Sequence, residues 1–213
     1  MFRTKLGVLA VLVAVSGGSV AACTTTTGGT ASPSTAASSS VTGEPTADPE
    51  VPKVSAPLDA SKYVSDTCAV VSKDVLTSLK FTDPGRYQAK GDTLFTKAGP
   101  SCLWKLQGEG IGLSVSLGTG SRDEGAGGLA GIYRGYASKT YIRFLERAPD
   151  VDGYPAVYWG PLDERPMGSC GIGVGIADDL TFDVYAQGYQ GADDSCGVAN
   201  QVASSVIKTL KGA

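Results

Sequence analysis

The chain holds 213 residues, of which 29 are Gly and 11 Pro, with 42% hydrophobic and 18% charged; this suits one modest globular domain with unstructured sequence beside it. Histidine is absent, which excludes Ser-His-Asp and Cys-His catalysis, His-ligated zinc and haem on a proximal His. A formal charge of -3 offers no cationic footprint for nucleic acid.

Met1 to Ala22 runs from a short basic start, Arg3 and Lys5, through the apolar stretch Leu6 to Val15 into small residues, and residues 1–22 read as a secretory signal. The apolar stretch is much shorter than the ~20 residues a transmembrane helix needs. Val20-Ala21-Ala22-Cys23 resembles the bacterial lipobox, in which a cysteine after small residues receives a diacylglycerol, so Cys23 is expected to be the lipidated first residue of the mature chain. Removing the signal takes away two bases and no acid, which leaves the lipid and not charge to hold the chain at a membrane. The segment 23–57 is Thr, Ser, Gly, Ala and Pro with few large apolar residues; it cannot bury enough surface to offset its ordering entropy and is expected to be a disordered tether. A coil of roughly 33 residues reaches about 30 to 35 Å.

Residues 58–213 are expected to form a single domain. Two short helical segments follow Ser65-Asp66-Thr67 and Ser72, covering Cys68 to Val71 and Lys73 to Leu79, and Asp83-Pro84-Gly85 ends them. Cys102, Trp104 and Leu106 alternate with polar or lone apolar neighbours, as do Ile111, Leu113, Val115 and Leu117, giving two strands joined at Gly108-Glu109-Gly110. Leu129, Ile132, Tyr133 and Tyr136 fall at helical spacing, so a helix is predicted over Glu124 to Ala137. Strands are predicted over Tyr141 to Arg147 and Tyr154 to Trp159, and a tight pair over Ser169 to Ala177 and Leu180 to Gln187. Asp193-Asp194-Ser195 is expected to cap a last helix that carries Cys196, Ala199, Val202, Ala203, Val206 and Leu210 on one side and ends at Gly212. Hairpins with helices before, between and after them predict an α+β domain: a curved antiparallel sheet with helices packed on one face.

With Cys23 set aside, Cys68, Cys102, Cys170 and Cys196 form an even set in an exported domain and are expected to make two disulfides. Pairing Cys68 with Cys102 and Cys170 with Cys196 would pin a helix to the strand beneath it in each case; spacing leaves the other two pairings open. Each bridge would close a loop worth about 3 kcal/mol. No close pair of ligands suggests a metal site.

Cys68 in the first helical segment, Cys102-Leu103-Trp104, Val151-Asp152-Gly153-Tyr154-Pro155-Ala156, Cys170-Gly171-Ile172-Gly173-Val174 and Cys196-Gly197-Val198-Ala199 together resemble the actinobacterial lipoproteins grouped as domain of unknown function 3558. That resemblance spans Cys68 to Leu210 and the lipobox. It implies a membrane-anchored lipoprotein with two disulfides and no catalytic residues to carry over, and a fold similar to the PsbP and Mog1 group, whose members bind other proteins.

Gly171, Gly173 and Gly175 occupy alternate positions of one strand and leave one sheet face locally bare, either for close packing of the C-terminal helix or a neighbouring strand or as the floor of a ligand site. Tyr158-Trp159 is the candidate exposed aromatic patch, because consecutive strand residues point to opposite faces. The acidic pairs Asp178-Asp179 and Asp193-Asp194 lack the oxygen count calcium needs and sit where a turn and a helix start call for Asp. The sequence therefore points to a non-enzymatic, cofactor-free, lipid-anchored module on the extracytoplasmic face that binds an envelope protein, glycan or lipid. The competing readings are a carrier or sensor of an apolar envelope molecule and a carboxylate-based hydrolase, which would need two acids converging in a cleft.

Overall fold

A computed structural model describes residues 51–93 and 96–212. The expected signal segment, Cys23 and the tether as far as residue 50 lie outside the described residues.

The described residues build a seven-stranded antiparallel sheet. Its strands are β1 (Arg86–Gln88), β2 (Ser101–Lys105), β3 (Gly112–Leu117), β4 (Phe144–Val151), β5 (Tyr154–Gly160), β6 (Cys170–Ala177) and β7 (Leu180–Gln187), in the order β1-β2-β3-β7-β6-β5-β4. The helices are α1 (Lys73–Ser78), α2 (Thr119–Asp123), α3 (Gly128–Ser138) and α4 (Ala192–Lys211), with 3-10 turns at Ser61–Tyr63, Thr67–Val70 and Arg165–Met167. The domain is α+β, as the patterning predicts.

Strand alternation divides the sheet into two faces. Ile172, Val174 and Ile176 of β6 point one way with Phe182 and Val184 of β7 and Val115 of β3, and all are fully buried in the main core. Over them lies α4, whose Ala199, Val202, Ala203, Val206 and Ile207 are solvent-free; a buried Val or Ile contributes about 1.5 to 3 kcal/mol, so this helix anchors the fold. The opposite face is not left to solvent. Leu129 and Ile132 of α3 form a second core there with Val157 and Ile142. The expected helix-covered face is the one under α4, and α3 covers the other face as well, where the glycines of β6 carve room for it.

Sequence and structure part at several boundaries. The helix expected over Glu124 to Ala137 begins only at Gly128, because Gly125 and Gly128 take φ of +69° and +68°, and a separate short helix, Thr119–Asp123, precedes it. The strand expected from Tyr141 begins at Phe144 and continues to Val151, where Asp152-Gly153 turn with φ of +49° and +88°. β1 was not visible in the sequence; three residues with one half-buried side chain carry no periodic signal. The last helix is not capped by Asp193, Asp194 or Ser195: Gly191 is the N-cap, the two acids lie in the first turn where they complement the helix dipole, and buried Ser195 donates to the Gly191 carbonyl at 2.8 Å.

The ordered contacts also begin earlier than residue 58. β5 and β6 pair only through Ala156–Tyr158 and Ile172–Val174. Where they part, the Leu58 N–H donates to the Ile176 carbonyl at 2.8 Å and the Tyr154 hydroxyl to the Ala56 carbonyl at 2.8 Å. Val54 packs over Gly175, its N–H donating to Asp178 Oδ1 at 3.1 Å, while Leu58 packs on the main core. The chain thus crosses from the glycine face to the α4 face within five residues, and Val51 to Pro57, placed in the tether by composition, are laid against the domain.

Candidate functional site

The four cysteines of the domain form the disulfides Cys68–Cys102 and Cys170–Cys196, with Cα separations of 5.0 and 5.1 Å. The first ties a 3-10 turn to β2 and the second ties the start of β6 to the first turn of α4.

The three glycines of β6 serve close packing. A Cβ on Gly173 would lie 2.8 Å from Asp183 Oδ1 and 2.9 Å from both Ile132 Cδ1 and Trp159 Nε1. On Gly175 it would meet Leu129 and Val54 at 3.1 and 3.2 Å, and on Gly171 the Trp159 carbonyl at 2.9 Å. The packing partners are α3, the N-terminal strap and Trp159; the C-terminal helix, one of the partners the sequence suggested, lies on the opposite face.

Tyr158 and Trp159 point to opposite faces, yet neither is an exposed patch. The Tyr158 hydroxyl accepts from Asn200 Nδ2 of α4 at 2.9 Å, and the Arg165 guanidinium lies over its ring and over Phe144, at 5.3 and 4.5 Å from the ring centroids. Trp159 is half-buried in the second core and its indole N–H donates to Asp183 Oδ1 at 2.9 Å. Among the described residues the large apolar side chains that do reach water are Tyr141, Leu162 and Met167, at 69%, 57% and 68% exposure, in the segments before β4 and after β5, and Tyr87 of β1 at 37%.

Several carboxylates have structural partners. Arg165 reaches Asp163 Oδ1 at 2.8 Å and Glu146 Oε2 at 2.9 Å, which holds both acids below the usual carboxylate range and raises the guanidinium. Glu164 accepts from the Tyr185 hydroxyl at 2.8 Å, and Asp123 pairs with Lys90 at 2.8 Å. Asp178 holds Lys53 and the Val54 N–H. Asp183 is the exception electrically: burial pushes its carboxyl up to about 7, against the opposing pull of hydrogen bonds from Trp159 and Thr181. Its place in the alternation of Leu180 to Gln187 reads as a solvent-facing polar position, so no sequence signal marks it.

The concavities of the domain lie elsewhere, along α1. A groove of about 790 Å3 runs between the Cys68–Val71 turn, α1 and the Phe81–Tyr87 segment, with Leu76, Phe81 and Trp104 among its apolar walls and Cys68 at its side. It continues past Phe81, Pro84 and Trp104 into a 310 Å3 hollow bounded by Arg86 and Lys105, and past Ser72 and Thr209 into a 400 Å3 hollow bounded by Val75, Gln201, Ser204 and Lys208. Gly85 makes the wall possible: a side chain there would run into Cys102 Sγ and the Trp104 indole, so only glycine lets the Pro84-Gly85 turn lie on the disulfide. Asp66 and Asp83 are the acids on the walls of the 790 Å3 groove. This site is not legible in the sequence, because its walls come from two helical segments, a turn and a strand between Asp66 and Trp104 together with Thr209 near the end of α4.

The described residues form an α+β domain with two disulfides and an open groove. Residues 19–209 match the family described as "Protein of unknown function (DUF3558)", and the chain belongs to that family. No curated protein and no solved structure matches it.

Proposed function

We propose that this chain is an envelope lipoprotein, acylated on Cys23 and held on the extracytoplasmic face of a membrane, whose domain works as a non-catalytic binding module. The observation that carries the binding role is the groove along α1: its volume lies within the ~300 to 1,000 Å3 of small-molecule sites, and its walls mix apolar and aromatic residues with seven polar or charged ones. Non-catalysis rests on chemistry: the chain has no histidine, the four domain cysteines are oxidised, and the acids Asp163, Glu146, Asp123 and Glu164 are engaged by neighbours. Anchoring rests on the lipobox-like Val20-Ala21-Ala22-Cys23 and on the low-complexity sequence after it.

Two measurements test this. Labelled palmitate should enter the chain in cells and be lost in Cys23→Ser. A photo-reactive amino acid at Ala69 or Thr77, both exposed on the groove wall, should capture an envelope component that the same group at the exposed Glu109 does not. Equal capture at all three positions, or none, would contradict the binding role.

A further inference from the structure

Resting on the groove reading, the charges around the groove narrow its ligand. Lys73 lines the central groove, Lys208 the hollow toward α4, and Arg86 and Lys105 the hollow toward the β2 edge. Among the described residues none of these four cations makes an ion pair, although Lys53, Lys90, Arg147 and Arg165 each do. Against them stand only Asp66 and Asp83, in a chain whose formal charge is -3, so the groove is a local cationic rim on an acidic molecule. The distribution is uneven. Asp83 sits in the same hollow as Arg86 and Lys105 and offsets them, whereas the hollow beside α4 has no acid on its wall. Lys73 and Lys208, both exposed, stand where that hollow joins the central groove at Ser72 and Thr209. From this point the wall turns apolar, through the edges of Val71, Leu76, Phe81 and Trp104, core residues at most 8% exposed.

We propose that the groove takes a single-chain anionic amphiphile, its acidic head between Lys73 and Lys208 and its chain laid along Leu76, Phe81 and Trp104. Head and chain are recognised by different physics. The chain is held by removal of apolar surface from water, which is indifferent to the head, and the head by two long cations that choose charge over shape. The acid must therefore bind more tightly than an uncharged molecule of equal length, and its advantage must shrink as salt is raised.

The test uses the full exported chain carrying Cys23→Ser, so that no attached acyl group competes. A fluorescent polyene C18 fatty acid and the corresponding alcohol are titrated into it. The expected result is an acid bound at least tenfold more tightly than the alcohol. Lys73→Glu with Lys208→Glu, both surface changes, should bring the two to parity, and Ala69→Trp, which fills the groove from an exposed position, should abolish binding of both. Equal binding of acid and alcohol, blocked by Ala69→Trp, would overturn the anionic assignment while keeping the groove. Binding of neither molecule, or binding that Ala69→Trp leaves untouched, would overturn the groove as the site. A longer apolar peptide that displaces the acid and binds tighter than it would overturn the amphiphile in favour of a protein partner.

Discussion

The indole N–H of Trp159 donates to Asp183 Oδ1 at 2.9 Å directly over Gly173, where a Cβ would lie within 3 Å of both atoms. Three strands meet at this point: β5 supplies the donor, β7 the acceptor and β6 the vacancy that lets them approach. The Ile132 methyl packs against the hollow from α3 and leaves Asp183 half-buried, and that burial pushes the carboxyl up to about 7.

That shift has a defined sign for stability. An unfolded Asp ionises near 3.8 and the folded Asp183 near 7, so between these values the native chain binds a proton the unfolded chain has released. Stability from this group is therefore greatest below about 4, falls as pH rises toward 7 and is level above it. Asp183→Asn keeps an oxygen for the indole and removes the ionisation. It should match the parent near pH 4 and exceed it near pH 8, by an amount on the order of 2 kcal/mol given that the side chain is partly in water. Denaturant melts at the two pH values check this.

The packing of the glycine face predicts opposite outcomes for two identical substitutions. Gly173→Ala must displace the indole, the carboxylate or Ile132 and should cost about 1 to 3 kcal/mol. Gly197→Ala, inside α4 with nothing within 4 Å of the new methyl, should stabilise by up to about 1 kcal/mol. Thermal unfolding of the pair side by side is the measurement.

Removing both cysteines of a bridge separates loop closure from groove shape. Cys170→Ala with Cys196→Ala opens a link spanning 26 residues and should cost about 3 kcal/mol with the groove unaffected, since neither residue lines it. Cys68→Ala with Cys102→Ala should cost a similar amount and in addition weaken ligand capture, since Cys68 lines the groove and Gly85 rests on Cys102. Chemical denaturation and the fatty-acid titration report the two effects.

Arg165 is 18% exposed and spans Glu146, Asp163, Phe144 and Tyr158, so Arg165→Gln should release two acids at once. The carboxyl pKa values of Glu146 and Asp163 should both rise toward ordinary values, read by NMR titration. The stability loss should be modest, about 1 kcal/mol, because the acids stand mostly in water.

Alternation in Leu113 to Leu117 and in Leu180 to Gln187, and the apolar stripe of α4, made those elements legible, because each buries one face and water sorts the side chains. The two-sided burial of β6 was half legible: Ile172, Val174 and Ile176 declared one core, but glycine has no side chain with which to declare the other, so α3 could not be assigned to it. Tyr158 and Trp159 read as surface candidates because a sequence does not show that Asn200 and Asp183 wait for their polar tips. The groove was invisible for a related reason. Ala69, Leu76, Pro84 and Trp104 are each ordinary in their own element, and it takes the Cys68–Cys102 bridge, the β1–β2 pairing and the shared core to bring those elements to one wall.

The most direct test of the account is native mass spectrometry of the Cys23-bearing chain released from its own membrane, alongside Ala69→Trp. The account predicts a diacylglyceryl mass on Cys23, four remaining cysteines resistant to alkylation until reduced, and a further non-covalent mass of one acidic single-chain amphiphile that the substituted chain lacks. A chain that leaves the membrane without the acyl mass, or with no adduct distinguishing it from Ala69→Trp, would contradict it.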